Sequence, residues 1–236
     1  MRCHETRSAI VAMQLHWAHP HNPSMPKVKK KIIIVDTNCY IRLYCSPVRP
    51  IMGHEFGGYQ LFTITELKLE TDLNSDVIAR NPWMANVDIQ TELASACLKL
   101  REPKKSNIAN VANTTRKVGN LLLQKYCKAQ STERLRTLSS ADCAALATAD
   151  VLDVCLATDE WPLRLVAESV GVKLFTSVGI LRLMESAGSL TIETRIETVR
   201  SWCLTNEALH RDWKTEYREF FGDEPPDAQS AKSQSA

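Results

Sequence analysis

Long apolar runs are what this chain of 236 residues most plainly lacks. None approaches the roughly 18 to 20 residues that a membrane span requires, and the first residues hold no apolar core of a secretory signal. Closely paired cysteines are missing too. Cys39, Cys45, Cys97, Cys127, Cys143, Cys155 and Cys203 are scattered through apolar segments without a Cys-x-x-Cys spacing. That excludes a zinc ribbon or a dithiol redox pair and predicts reduced, mostly buried thiols. Nor is there an excess of one charge: the net is +2, so a nucleic-acid partner would need a local basic surface. These absences predict a soluble, cytoplasmic protein with no membrane partner. What remains, 44% hydrophobic and 24% charged residues, is the composition of one globular domain with appendages.

The rest of the chain is organised around Ile32-Ile33-Ile34-Val35-Asp36-Thr37-Asn38. Four β-branched residues in a row read as a buried strand, and the polar triplet then falls at its carboxyl end, where open α/β sheets place ligands. Before it, residues 1–24 carry His4, His16, His19 and His21 without periodicity. They read as a flexible leader, with metal binding by the histidines as the alternative, and Met25 is a candidate start. Lys27, Lys29, Lys30 and Lys31 are either a solvated strand entry or a phosphate-facing edge.

After Asn38, the spacing of Tyr40, Ile41, Leu43 and Tyr44 predicts a short helix stopped by Pro47 and Pro50. Tyr59–Ile64 reads as a second strand, followed by Thr65 as a cap and a helix holding Glu66 and Glu70 on one face. Residues 90–100 predict a helix, and the spacing of Val111, Val118, Leu121 and Leu122 another. Lys104, Lys105, Arg116, Lys117, Lys125, Lys128, Arg134 and Arg136 give this middle region a basic bias. Ser139-Ser140-Ala141-Asp142 opens an alanine-rich helix to Asp150; residues 154–158 form a strand ending at Asp159-Glu160. A helix over 163–169 ends at Gly171, a short strand covers 172–175, and Ile180 to Met184 lie in a further helix. Strands alternating with helices predict a mostly parallel α/β sheet with right-handed crossovers. Beyond Gly188 the pattern is helical only. Ile192, Ile196, Val199 and Cys203 are expected on one face of a first helix, and Leu209, Trp213, Tyr217 and Phe220 on one face of a second. Residues 223–236 read as a disordered tail.

Three strand or helix starts each present a carboxylate, namely Asp36, Asp142 and Asp159, and Glu70 or Glu66 adds a fourth. At the shared carboxyl edge of a parallel sheet such acids can converge, and converged carboxylates repel unless a cation neutralises them. Oxygen ligands without histidine or cysteine suit a hard ion, Mg²⁺ or Mn²⁺, which activates water and stabilises charge in a phosphoryl displacement. The chemistry indicated is phosphodiester hydrolysis.

Ile-Ile-Ile-Val-Asp-Thr-Asn at 32–38, Asp-Cys-Ala-Ala-Leu-Ala-Thr-Ala at 142–149 and Ala-Thr-Asp-Glu at 157–160, with Leu163-Arg164 and Ala167 to Gly171 after it, resemble the PIN-domain ribonucleases, the metal-dependent family that includes VapC-type toxins. The resemblance covers about residues 31–185. It implies a three-layer α/β/α sandwich around a mostly parallel twisted sheet, here a nuclease domain over 25–188 with a C-terminal helical extension over 189–222. By resemblance Asp36, Glu70, Asp142 and Asp159 are the metal-holding catalytic acids, with Glu66 the alternative to Glu70 and Glu160 a further candidate. Asn38 would support the first acid, and Thr158 or Ser177 would position the fourth acid or substrate. Lys104, Lys105, Arg116 and Lys117 would hold the RNA backbone. The resemblance also implies an endoribonuclease with RNA as substrate, an antitoxin partner if the protein is a toxin, and a homodimer. Two rival expectations are a non-catalytic RNA-binding module and a DNA-directed nuclease of the same fold. The middle region is longer than in the small toxins, and the C-terminal helix pair has no counterpart in the minimal domain.

Overall fold

The computed structural model describes residues 31–71, 76–130, 136–205 and 209–226. The expected leader, Lys27, Lys29, Lys30, Arg134 and the tail from residue 227 lie outside the described residues. Four strands form one sheet in the order β2-β1-β3-β4, all parallel: β1 (Lys31–Val35), β2 (Tyr59–Phe62), β3 (Cys155–Ala157) and β4 (Leu174–Phe175). The β-branched run of β1 occupies the centre. Ile33 pairs with Leu61 on one side and Cys155 on the other, so this strand must be apolar on both faces.

Alternation along β1 divides the core into two layers. Ile33 and Val35 face a cluster built with α1 (Thr37–Tyr44), α8 (Ser177–Ser186), α9 (Ile192–Leu204) and α10 (Trp213–Phe221). Ile34 and Leu156 face the opposite cluster, built with α2 (Thr65–Leu69), α5 (Lys104–Ala129), α6 (Ser140–Leu152) and α7 (Trp161–Ser169). Two short helices, α3 (Asp76–Arg80) and α4 (Val87–Ser95), complete the element order. The α/β architecture read from the sequence is the one observed, with every strand pairing parallel. Among the described residues no helix is long and apolar enough to cross a membrane, and the described cysteines are free thiols.

Several local expectations are revised. The helix expected over 90–100 is α4 and ends at Ser95, because the chain then runs along the sheet edge, where the Thr63 N–H donates to the Ala96 carbonyl and the Leu98 N–H to the Thr63 carbonyl. Ile64, not Thr65, is the N-cap of α2. On α5 the buried positions are Ile108, Gly119, Leu123 and Cys127, while Val118 and Leu121 are exposed. The crossing is set by Gly119, where even a Cβ would lie 3.1 Å from Leu138 and Val166, so apolar spacing alone misreads the face. On α9 the buried face is Arg195, Thr198, Val199 and Trp202, and Ile192 is exposed. Arg195 is buried because α8 and α10 surround it: it donates to the Tyr217 hydroxyl and to Asp223, and its Nε stands 2.7 Å from Glu185, off the hydrogen-bond line. Residues 223–226, expected to begin the tail, are held by the Arg195–Asp223 and Arg218–Glu224 pairs.

Candidate active site

In the order β2-β1-β3-β4 the crossover connections leave β1 in opposite directions, so the crevice between the carboxyl ends of β1 and β3 is the topological switch point of the sheet. Asp36 follows β1 directly, and its backbone N–H donates to the carbonyl of Ala157, the last residue of β3. It is the N-cap of α1, and the Asn38 backbone N–H in the first turn of that helix lowers its carboxyl against the effect of burial. Only 2% exposed, that carboxylate accepts the Thr158 hydroxyl at 2.8 Å.

Glu160 and Asp142 act on it through their charge, and Glu70 stands by those two. Ser139 and Asp142 form a reciprocal capping box at the start of α6, with the Asp142 N–H on Ser139 Oγ at 3.0 Å and the Ser139 N–H on Asp142 Oδ2 at 2.8 Å. The same bonds that start the helix fix the acid beside the crevice. Glu70, the C-cap of α2, accepts the Thr37 hydroxyl at 2.6 Å. Glu160, the N-cap of α7, accepts the Asn38 side-chain amide, and its N–H donates to Thr158 Oγ1 at 3.1 Å.

These four acids feel one another. Burial first, then the charges of Glu160 and Asp142, push the Asp36 carboxyl up to about 8. Burial also raises Glu160, with Asp142 and Glu70 adding to it, and raises Glu70, with Asp142 contributing. A carboxyl held this far above its ordinary range by burial and by neighbouring acids marks a place where a cation is favoured.

No family model matches the chain. No curated protein matches it either. Among solved structures, the crystal structure of FitAcB from Neisseria gonorrhoeae is similar at 19% sequence identity over 61% of this chain and 97% of that chain, with a TM-score of 0.33. A likeness at that level bears on neither family nor activity, and the functional reading rests on the site itself.

The structure sets Asp36, Glu70, Asp142 and Glu160 about one crevice and sends Asp159 and Glu66 elsewhere. Asp159 turns away from the crevice: its carboxylate accepts the Arg42 guanidinium, the Ser177 hydroxyl and, at 3.1 Å, the Ser177 N–H. Arg42 and Asp159 are each 2% exposed at the side chain, so this is a buried, hydrogen-bonded ion pair, a structural use of the charge. Neighbouring residues of an extended segment project to opposite sides, which is why Asp159 and Glu160 part company. Glu66 lies on a different groove, beside Cys97, Lys105 and Thr148. Of the expected supports, Ser177 bonds Asp159, Thr158 holds the first acid, and Asn38 gives its backbone N–H to Asp36 and its side-chain amide to Glu160.

Of the basic residues, Arg116 donates to Ser140 at the start of α6, next to Asp142. Lys117 is exposed and turned about 100° from Arg116 around α5. Lys104 lies at the amino ends of the strands, the far edge from the acids, and Lys105 lies beside Glu66. Sequence reasoning gave no role to Thr37 or Arg42. Arg42 falls one helical turn after Asn38, and an arginine on the apolar face of a short helix was the signal that a buried acid must answer it.

Proposed function

We propose that the chain is a metal-dependent endoribonuclease in which Asp36, Glu70, Asp142 and Glu160 hold the metal, with Asp159 as a positioning residue. The observation that carries this reading is the convergence of four carboxylates from four elements on the switch-point crevice, with the Asp36 carboxyl pushed up to about 8.

The donor set fits a hard divalent ion in chemistry, since it offers carboxylate oxygens and no sulfur or imidazole. Among the described residues no three such side chains stand gathered as ready ligands. Each carboxylate rests on a protein donor, namely Thr158, Thr37, Ser139 or Asn38. These are neutral groups, so moving to a cation breaks no ion pair. Bound Mg²⁺ or Mn²⁺ would supply Lewis-acid stabilisation of a phosphodiester and a more acidic water. The residues do the rest. Thr37, Asn38 and Thr158 orient the acids, the Arg42–Asp159 pair holds the turn that carries Glu160, and Arg116 offers a cation to the substrate backbone at the crevice rim.

The test is incubation of the purified protein with labelled single-stranded RNA, tRNA and matched DNA, with Mg²⁺, Mn²⁺ or EDTA, beside Asp36→Asn and Asp142→Asn. The expected result is cleavage of RNA that requires the metal and both acids. Equal cleavage by the wild type and both variants, or indifference to EDTA, overturns the assignment. Binding of RNA without cleavage would identify a non-catalytic module instead, and preference for DNA a nuclease of the other substrate.

A further inference from the structure

The edge of the sheet opposite the acids holds a cleft of about 650 Å³. It lies at the amino ends of the strands: Lys31 and Tyr59 are the first residues of β1 and β2, and Asp153 and Lys173 precede β3 and β4. The cations lining it are Lys31, Lys99, Arg101, Lys104 and Lys173, and Asp153 is the one carboxylate among the lining residues. Lys99, Arg101 and Lys104 come from one short stretch, and Lys31 and Lys173 join them from the entries to β1 and β4. Lys31 Nζ stands 5.0 Å from the centre of the Tyr59 ring, so a cation of the recess is held in place over that ring.

The cleft does not end there. Leu98, Lys99 and Leu100 also line a second groove of about 570 Å³ that passes Lys105 and Asn113 and reaches Ala144 and Thr148 of α6. Glu66 is the acid on that groove. One turn beyond Asn113 on α5 stands Arg116, bonded to Ser140 beside Asp142. Lys104 to Arg116 spans about 18 Å of helix, so a cationic path runs from the far edge of the sheet to the rim of the acidic crevice.

We propose that this cleft holds the phosphodiester backbone of a single-stranded polynucleotide whose other end lies at the acidic crevice. The proposal rests on the nuclease reading above and assigns the rest of the substrate's path. Spaced cations answer a chain of phosphates, and a single strand is pliable enough to follow a recess and the groove that continues it. The net charge of the chain is only +2, which makes the gathering of these cations in one recess informative.

The test is binding of fluorescent RNA of about 16 and of about 4 nucleotides, measured in EDTA so that the strands stay intact. Wild type is compared with the triple variant Lys99→Ala, Lys104→Ala, Lys173→Ala, whose circular dichroism melt checks the fold. At about 0.7 counterions per phosphate contact, losing three contacts lowers the salt slope by about 2, so that between about 50 and 200 mM salt the wild type should lose roughly twentyfold more affinity than the variant. The 4-nucleotide strand, which covers too few of the cations, should bind the wild type more weakly than the long strand and lose less affinity to salt. Matched single-stranded DNA bound like RNA supports the shared backbone chemistry, and weaker DNA binding assigns the site to RNA. An unchanged salt slope in the triple variant overturns the proposal. So does displacement of the long strand by polyglutamate at equal charge, which would mark an acidic-polypeptide site, or by inorganic phosphate at millimolar level, which would mark a small-anion site. Binding without cleavage in the earlier assay removes the nuclease reading alone; cleavage with an indifferent triple variant removes the cleft alone.

Discussion

Replacing Asp36 by asparagine should make the metal-free protein more stable, although it should abolish activity. The carboxyl titrates at about 8 in the fold against an ordinary value of 3.8. The folded state therefore holds the proton more tightly than the unfolded chain does. Stability from this group is fully present below about pH 3.8 and is lost as pH rises through about 8. That gap corresponds to about 4 kcal/mol at pH 7 and about 6 kcal/mol at pH 9, both upper values that structural relaxation and water entry reduce. Asparagine keeps an oxygen for the Thr158 hydroxyl, which now lies 2.8 Å from the carboxylate, and carries no charge to desolvate. At about 2 to 4 °C per kcal/mol for a chain of this size, a gain of several degrees in Tm is expected in EDTA at pH 7, larger at pH 9 and near zero at pH 4. Thermal melts of the two proteins at the three pH values are the assay. An asparagine variant that melts at or below wild type at pH 9 would refute the reasoning.

The other expectations concern the same crevice and its supports. Affinity for Mg²⁺ or Mn²⁺, read by calorimetry, should rise about tenfold per pH unit up to about pH 8 and then level off, because the ion must displace the Asp36 proton. Glu160→Gln should lower the cleavage rate by about a hundredfold or more with little change in stability. Arg42→Met should cost about 3 to 5 kcal/mol in urea denaturation, because it leaves Asp159 charged in a buried site, and Asp159→Asn in the same chain should recover part of it. Gly119→Leu should cost about 1 to 3 kcal/mol in the same measurement by forcing α5 away from Leu138 and Val166.

The β-branched run of β1 and the alternation of strands and helices announced the α/β sheet, because a buried parallel strand has no other economical composition. The Ser139–Asp142 capping box was equally legible, since it is made within four residues. Legibility failed where a long-range partner decided the outcome. Asp159 and Glu160 are adjacent acids at one strand end, and only Arg42, far away in the chain, determines which of them is drawn into the core. Glu66 and Glu70 shared an expected helix face, but α2 stops at Leu69, and Glu70 turns to Thr37. The cationic cleft was invisible for a related reason: its residues are contributed by the entries to all four strands, by the segment 98–101 and by the first turn of α5.

The Trp202 indole donates at 2.9 Å to the carbonyl of Arg42, near the end of α1 where helix carbonyls lack helical partners. Its consequence concerns the order of synthesis. The ribosome has made all four acids by residue 160, yet the donor that completes the Arg42 backbone appears only with residue 202, some forty residues later. Until those last helices emerge, the turn carrying Glu160 lacks its final brace. A nascent chain thus holds the acids before it holds the scaffold that sets them, and a truncated product would be released with an unfinished site.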